Sequence, residues 1–294
     1  MTHHHGHHGH HAGLVFRVVV SVVSLVMISS ASSQAATLFD PALRFRTLTT
    51  DHFIVYFHPS EADLAPRLDA IAEETWRALQ LPLAATPPRR THVVLADQTD
   101  YTNGYATPLP YDTIVIYAAW PAGSEFIGNI DDWLRVAFTH EFTHIVHLDR
   151  SEGWARWVHG IFGRTALAFP NLFLPTWQIE GLATYEESAL TGQGQGRVHA
   201  GDFAAVVGEA SRHGAIEPLD RVNGGLTDWP GGFAAYAYGA GFHDYLAGRF
   251  GPEALAGSRT KRRTRCRIPD RVRSRRCSAS RSAICGATMR RRCR

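Results

Sequence analysis

His140 and His144 stand four residues apart in AFTHEFTHIVH (residues 137–147), and Glu141 directly follows the first of them. On a helix, positions i and i+4 share a face, so imidazoles at this spacing can present their nitrogens to one cation. Glu141 then sits at the edge of that face, within reach of a water at the metal but outside the ligand set. The pattern H-E-x-x-H therefore binds zinc and carries its own general base. The plain alternative is an amphipathic helix with two incidental histidines, whose apolar part is Val136, Ala137, Phe142, Ile145 and Val146.

Two imidazoles do not complete a catalytic zinc site, which takes a third protein ligand and leaves one position for water. One zincin pattern finds that ligand in H-E-x-x-H-x-x-G-x-x-H. Here the glycine position is His147 and the last position is Arg150, which excludes that pattern. His147 lies about 10 Å along the helix axis from His140, too far to share one ion, and reads as structural or supporting. A downstream acid remains. LPTWQIEGLATYEESA (residues 174–189) offers Glu180, Glu186 and Glu187. Glu180 sits among Trp177, Ile179 and Leu182, where a carboxylate is costly unless it is paired or bound to a metal. Glu186 and Glu187 read as a solvated helix end, with either able to orient a ligand histidine.

HEFTH followed by P-x-W-x-x-E-G-L-A-x-Y-x-E (residues 175–187) resembles the gluzincin metallopeptidases. It is most similar to the secreted bacterial proteins of the peptidase MA-like group, over roughly residues 53–251. The resemblance implies a zincin-like fold with an edge strand over the cleft, and one Zn2+ held by His140, His144 and Glu180. YAYGAGFHDYLAGRFG (residues 236–251) is similar to the Y-x-x-G-x-x-F-x-x-Y-L helix of that group. This implies that the Tyr236 phenol supports a tetrahedral intermediate, with Tyr238 and His243 as the other donors on the helix. Thermolysin-like members place an aspartate four residues after the ligand glutamate to orient a histidine. That position is Thr184 here, so another residue must hold the ring of His140 or His144. The implied activity is zinc-dependent hydrolysis of peptide bonds by a metal-activated water, with Glu141 as general base. Zinc and Tyr236 would share the oxyanion charge, and the strand at residues 113–117 would form the cleft edge. The alternative is a non-catalytic zinc-bearing module that binds peptide or cell-wall material.

The elements that must position these residues are legible in outline. FIVYFHP (residues 53–59), THVVLAD (91–97) and DTIVIYAA (112–119) read as strands, with Asn103-Gly104 as a turn. A helix is predicted from Ser60 and Glu61 to about Leu79, and another from an Asp131 cap to about His147. Further helices are predicted over residues 154–162, 179–190, 202–212 and 233–249, with GQGQG (192–196) as a flexible loop. Strands first and helices second make an α+β chain with a small N-terminal mixed sheet and a mainly helical C-terminal part. Residues 154–177 are rich in Trp, Phe and Leu; core packing is the preferred reading, a lid or membrane contact the other.

Composition divides the 294 residues into three parts. Residues 1–35 read as a signal peptide: a His-rich start, Arg17, an apolar run from Val18 to Ile28, and small residues at Ser33 and Ala35. The run is too short to span a bilayer comfortably. Cleavage after Ala35 would release a secreted or periplasmic domain, residues 36–257, with no stable membrane span. Residues 258–294 hold 15 of the 30 Lys and Arg and one acid, which leaves residues 1–257 with 15 basic and 26 acidic groups, a balance of −11. All four cysteines, Cys266, Cys277, Cys285 and Cys293, lie in this tail, so any metal in the body must use His, Asp or Glu. A basic arm could bind nucleic acid, but that suits an exported chain poorly. The abrupt change near Gly257 matches GC-rich DNA read out of frame, whereas related secreted proteins often continue into a Tol-type β-propeller. The expected partner is a peptide or protein substrate and not a nucleic acid; oligomeric state is left open.

Overall fold

In FIVYF, Phe53 and Val55 are fully buried while the residues between them are not, the period-2 pattern of a strand with one face on a core. The same alternation recurs in THVVLA. A computed structural model describes residues 42–121, 128–192, 194–222 and 229–256. Its five strands are β1 (Arg46–Thr49), β2 (Phe53–Phe57), β3 (Thr91–Ala96), β4 (Gly104–Thr107) and β5 (Thr113–Tyr117). They form one mixed sheet in the order β1-β2-β3-β5-β4, antiparallel at both ends and parallel in the middle. The parallel β2–β3 pair is joined by helix α1 (Ala65–Leu83), the crossover such a pair requires.

The remaining helices are α2 (Trp133–Leu148), α3 (Trp154–Phe162), α4 (Thr176–Thr191), α5 (Gly201–Arg212), α6 (Phe233–Phe250) and the short α7 (Glu253–Ala256). The fold is thus α+β, a five-stranded mixed sheet followed by a mainly helical C-terminal part. Helix α2 is central: every residue in it except Arg135 is buried. Its Phe138 and Phe142 meet Phe53 of β2 edge-on, at ring separations of 5.5 and 5.2 Å. Leu68, Ile71 and Leu79 of α1 complete the core on this sheet.

Four details depart from the sequence reading. The cleft edge is β4, not β5: β5 lies between β3 and β4 and is hydrogen-bonded on both sides. Asn103-Gly104 is accordingly the start of that edge strand and not a turn. Both β1 (RTLT) and β4 (GYAT) are short and lack an apolar alternation, so no period marks them. The cap of α2 is Asp132, whose carboxylate accepts from the backbone N–H of Arg135 at 3.2 Å, while the N–H of Asp131 donates to Gln195. Finally, α3 does not pack its large apolar side chains. Only Ala155 is buried, and Trp154, Trp157, Ile161 and Phe162 are more than half exposed. An apolar stripe reports a face, not whether a partner covers it. Ala168, Phe169 and Trp177 further along do enter the interior.

Among the described residues no helix is long and apolar enough to cross a membrane. The expected signal peptide and cleavage point, and the basic tail, lie outside the described residues.

Candidate metal centre

Helices α2 and α4 pack face to face. Helix α2 brings His140 and His144 to the contact, one turn apart; α4 brings Glu180 and Glu187, seven residues and two turns apart, on one face. The Nε2 atoms of His140 and His144 are 3.1 Å apart, and each lies 3.4 Å from Oε2 of Glu180. These three residues are a buried His–His–Glu group able to hold one metal ion, a zincin-like arrangement. His147 is not part of it.

The chemistry of the triangle fits a cation. Nδ1 of His140 is 2.7 Å from Oε2 of Glu187, so it carries the proton and donates, which leaves a lone pair on Nε2. That lone pair faces a Glu180 oxygen and the second imidazole, a convergence of electron-rich atoms that only a proton or a metal relieves. Burial and the Arg197 charge push His140 down, but the Glu180 and Glu187 carboxylates outweigh both and raise it to about 9. Glu180 is desolvated, yet the two histidines hold it well below the usual carboxylate range. In a tetrahedral zinc site, ligand atoms about 2.0–2.1 Å from the metal lie about 3.3–3.4 Å from each other. The observed edges of 3.1, 3.4 and 3.4 Å match that spacing. Two imidazoles and a carboxylate also suit zinc better than the hard, oxygen-seeking calcium or magnesium.

Glu141 lines the cavity beside this group and is held outside the ligand triangle. Burial raises its pKa, with the neighbouring histidines opposing. The cavity, about 460 Å³, is walled by residues 101–106, which lead into and form most of the β4 edge, by Trp133, Val136 and Ala137, and by Tyr236 and Arg197. Trp133 is fixed through its indole N–H, which donates to the carbonyl of Tyr117 at 2.7 Å. Tyr236 enters from α6; burial and then the Glu180 carboxylate push its phenol up to about 12, so it stays a donor at neutral pH. Tyr238 and His243 do not line this cavity. Tyr238 packs in a second apolar cluster with Trp177, and His243 bonds the carbonyl of Gly239 at 2.8 Å.

The close approach of α4 and α6 depends on two glycines. A Cβ on Gly181 would collide with the backbone of Gly239, and one on Gly239 with the carbonyl of Trp177. Their bare Cα atoms let the helix of Glu180 and the helix of Tyr236 meet backbone to backbone.

Glu186 and Glu187 are not a solvated helix end: both are about 1% exposed. Helix α4 has half of its residues buried, because α2 and α6 both pack against it. Glu187 is the residue that orients His140, and Thr184 is not: its hydroxyl is buried with no partner among the described residues. Arg197, in a short 3-10 turn after the glycine loop, was not legible as a site residue. A lone arginine following GQGQG carries no periodic or spacing signal; only the return of the loop across α4 brings it in.

No known protein-family model matches this chain, and no curated protein is found to be similar to it.

Proposed function

We propose that this protein is a zinc-dependent peptidase of gluzincin type. The observation that carries the reading is the His140–His144–Glu180 triangle with tetrahedral edge lengths, opening onto a cavity that also holds Glu141. His140, His144 and Glu180 would hold the ion. When bound, zinc would supply Lewis acidity to a water molecule and to the substrate carbonyl. Glu141 removes a proton from the attacking water and delivers it to the leaving amine; its burial favours the protonated form needed for that second step. Tyr236 keeps its proton and donates a hydrogen bond to the developing oxyanion. The β4 edge beside Glu141 supports an extended peptide as substrate, laid along it as an added strand. The apolar segment before Ala35 supports export, hence a secreted or periplasmic enzyme.

The test is hydrolysis of a fluorogenic peptide library by the full chain, with and without chelator, and then by Glu141→Gln. Activity lost in chelator, restored by zinc and absent in Glu141→Gln is expected. Zinc bound without turnover on any peptide would instead make this a non-catalytic zinc-bearing module. Full activity in chelator or in the variant would end the peptidase reading.

A further inference from the structure

Glu187 has every acceptor position filled. Its Oε1 accepts from the backbone N–H of Arg197 at 3.1 Å and from Nε of Arg197 at 2.8 Å. Its Oε2 accepts from Nη2 of Arg197 at 2.6 Å and from Nδ1 of His140 at 2.7 Å. Nη2 stands 2.8 Å from Nδ1 because both nitrogens aim a proton at that one oxygen. Three of the four donors to this carboxylate thus come from a single residue: its backbone N–H, and the Nε and Nη2 pair in the side-on fork that only a guanidinium supplies. The other face of the same group is also used: the Arg197 guanidinium carbon lies 5.1 Å from the centre of the Tyr236 ring. Arg197 therefore touches the carboxylate that orients a ligand histidine and the ring of the phenol across the cavity.

The backbone is built to deliver it. Gly196, immediately before Arg197, has φ +84° and its Cα packs on Ser188 so closely that a Cβ would clash. The Ser188 hydroxyl accepts from the N–H of Val198 at 3.1 Å, and Gly196 bridges to Asn129. The turn is thus pinned on both sides of Arg197, next to Glu187 on the helix it spans.

We propose that Arg197 is the positioning residue of the metal centre: it locks Glu187 onto His140 and stacks on Tyr236, so one side chain fixes a ligand imidazole and the oxyanion donor together. The inference rests on the zinc reading above. Without the fork, Glu187 keeps only the Arg197 backbone N–H and His140 as donors, so its carboxylate is held less firmly, the His140 ring is less well oriented, and Tyr236 loses the guanidinium packed on its ring. Removing a group that orients a metal ligand typically costs about 10–100-fold in metal affinity.

The experiment compares the full chain with its Arg197→Gln and Arg197→Lys variants and with a His140→Ala/His144→Ala double variant. The His-rich start is common to all four, so metal bound there cancels. Zinc affinity is read by competition with a chromophoric chelator, site geometry by the visible absorption of bound cobalt(II), and fold by thermal unfolding. Arg197→Gln is expected to bind zinc about 10–100-fold more weakly and to change the cobalt spectrum, with kcat falling more than KM rises. Arg197→Lys keeps the positive charge but not the fork, so it folds and still loses affinity several-fold. Parent-like zinc affinity and an unchanged cobalt spectrum in Arg197→Lys or in a folded Arg197→Gln would overturn the proposal. A parent chain that binds no more metal than the double histidine variant would overturn the zinc reading itself, and is seen before any Arg197 variant is made.

Discussion

The carboxylate of Glu141 lies directly under Gly104: a Cβ built on Gly104 would stand 3.0 Å from both Cγ and Oε1 of Glu141. The first residue of the edge strand and the proposed general base share one space, and the base has that space only because the strand begins with glycine. Gly104→Ala is expected to displace the Glu141 carboxylate by a few tenths of an ångström. Displacements of this kind at a proton-transfer group lower kcat, on the order of 10-fold or more. Zinc affinity should stay at the parent value, because Glu141 is not a ligand. Parallel measurement of kcat and zinc affinity checks the split; a variant that loses zinc and keeps kcat at saturating metal would assign Gly104 to metal binding instead.

Zinc binding should stabilise the fold. The three proposed ligand atoms come from two helices separated in sequence, so the unfolded chain offers no assembled site. At zinc 100-fold above Kd the stabilisation is about 2.7 kcal/mol. Chelator-stripped protein should therefore show a Tm that rises with added zinc, and Glu180→Ala should blunt the rise. A rise of the same size in Glu180→Ala would place the stabilising metal elsewhere.

Gly239→Ala tests how the two walls of the site are held together. The new methyl has no room against the carbonyl of Trp177 and the Cα of Gly181, so α4 and α6 must separate. Overpacking of this kind costs typically 1–3 kcal/mol. Chemical unfolding should show that loss, and zinc affinity should fall with it because Glu180 moves with α4. Gly248→Ala is the control: it lies on the same helix α6 with nothing near its absent Cβ, and helix propensity alone should make it neutral or slightly stabilising.

Glu186 supplies a pH dependence of stability. It is buried, Oε1 has no partner among the described residues, and burial raises its pKa from 4.5 to about 8. The folded state therefore keeps its proton after the unfolded state has released it. Between about 4.5 and about 8 the unfolded chain binds fewer protons, so stability falls as pH rises, by at most about 1.4 kcal/mol per pH unit for this one group. Glu186→Gln removes the penalty. The Tm difference between variant and parent should be small at pH 4 and should grow in the variant's favour toward pH 8. A difference independent of pH would mean that Glu186 is ionised in the fold.

The α+β order, three of the five strands (β2, β3 and β5), the helix over residues 154–162 to the residue, and the residues of the candidate metal triangle were readable from the chain. These rest on local rules, and the choice of Glu180 as third ligand rests also on the resemblance to the gluzincins. Period 2 marks a half-buried strand, spacing by four sets two imidazoles on one face, and an isolated acid among apolar neighbours implies a partner. The role of Glu187 was half-readable: its spacing of seven from Glu180 sets both on one face of α4, but no local feature told that this face is buried.

What only the tertiary structure decided is which surfaces meet. Strand order put β4 and not β5 at the cleft, because sheet order is set by pairing between segments distant in sequence and leaves no period in either strand. Arg197 reached His140, 57 residues earlier, by a loop return that local propensity does not encode. The apolar face of α3 turned outward although its pattern is that of a packed helix. Periodicity determines which side of an element is apolar; contact between elements, which depends on the whole chain closing around one core, determines what that side touches.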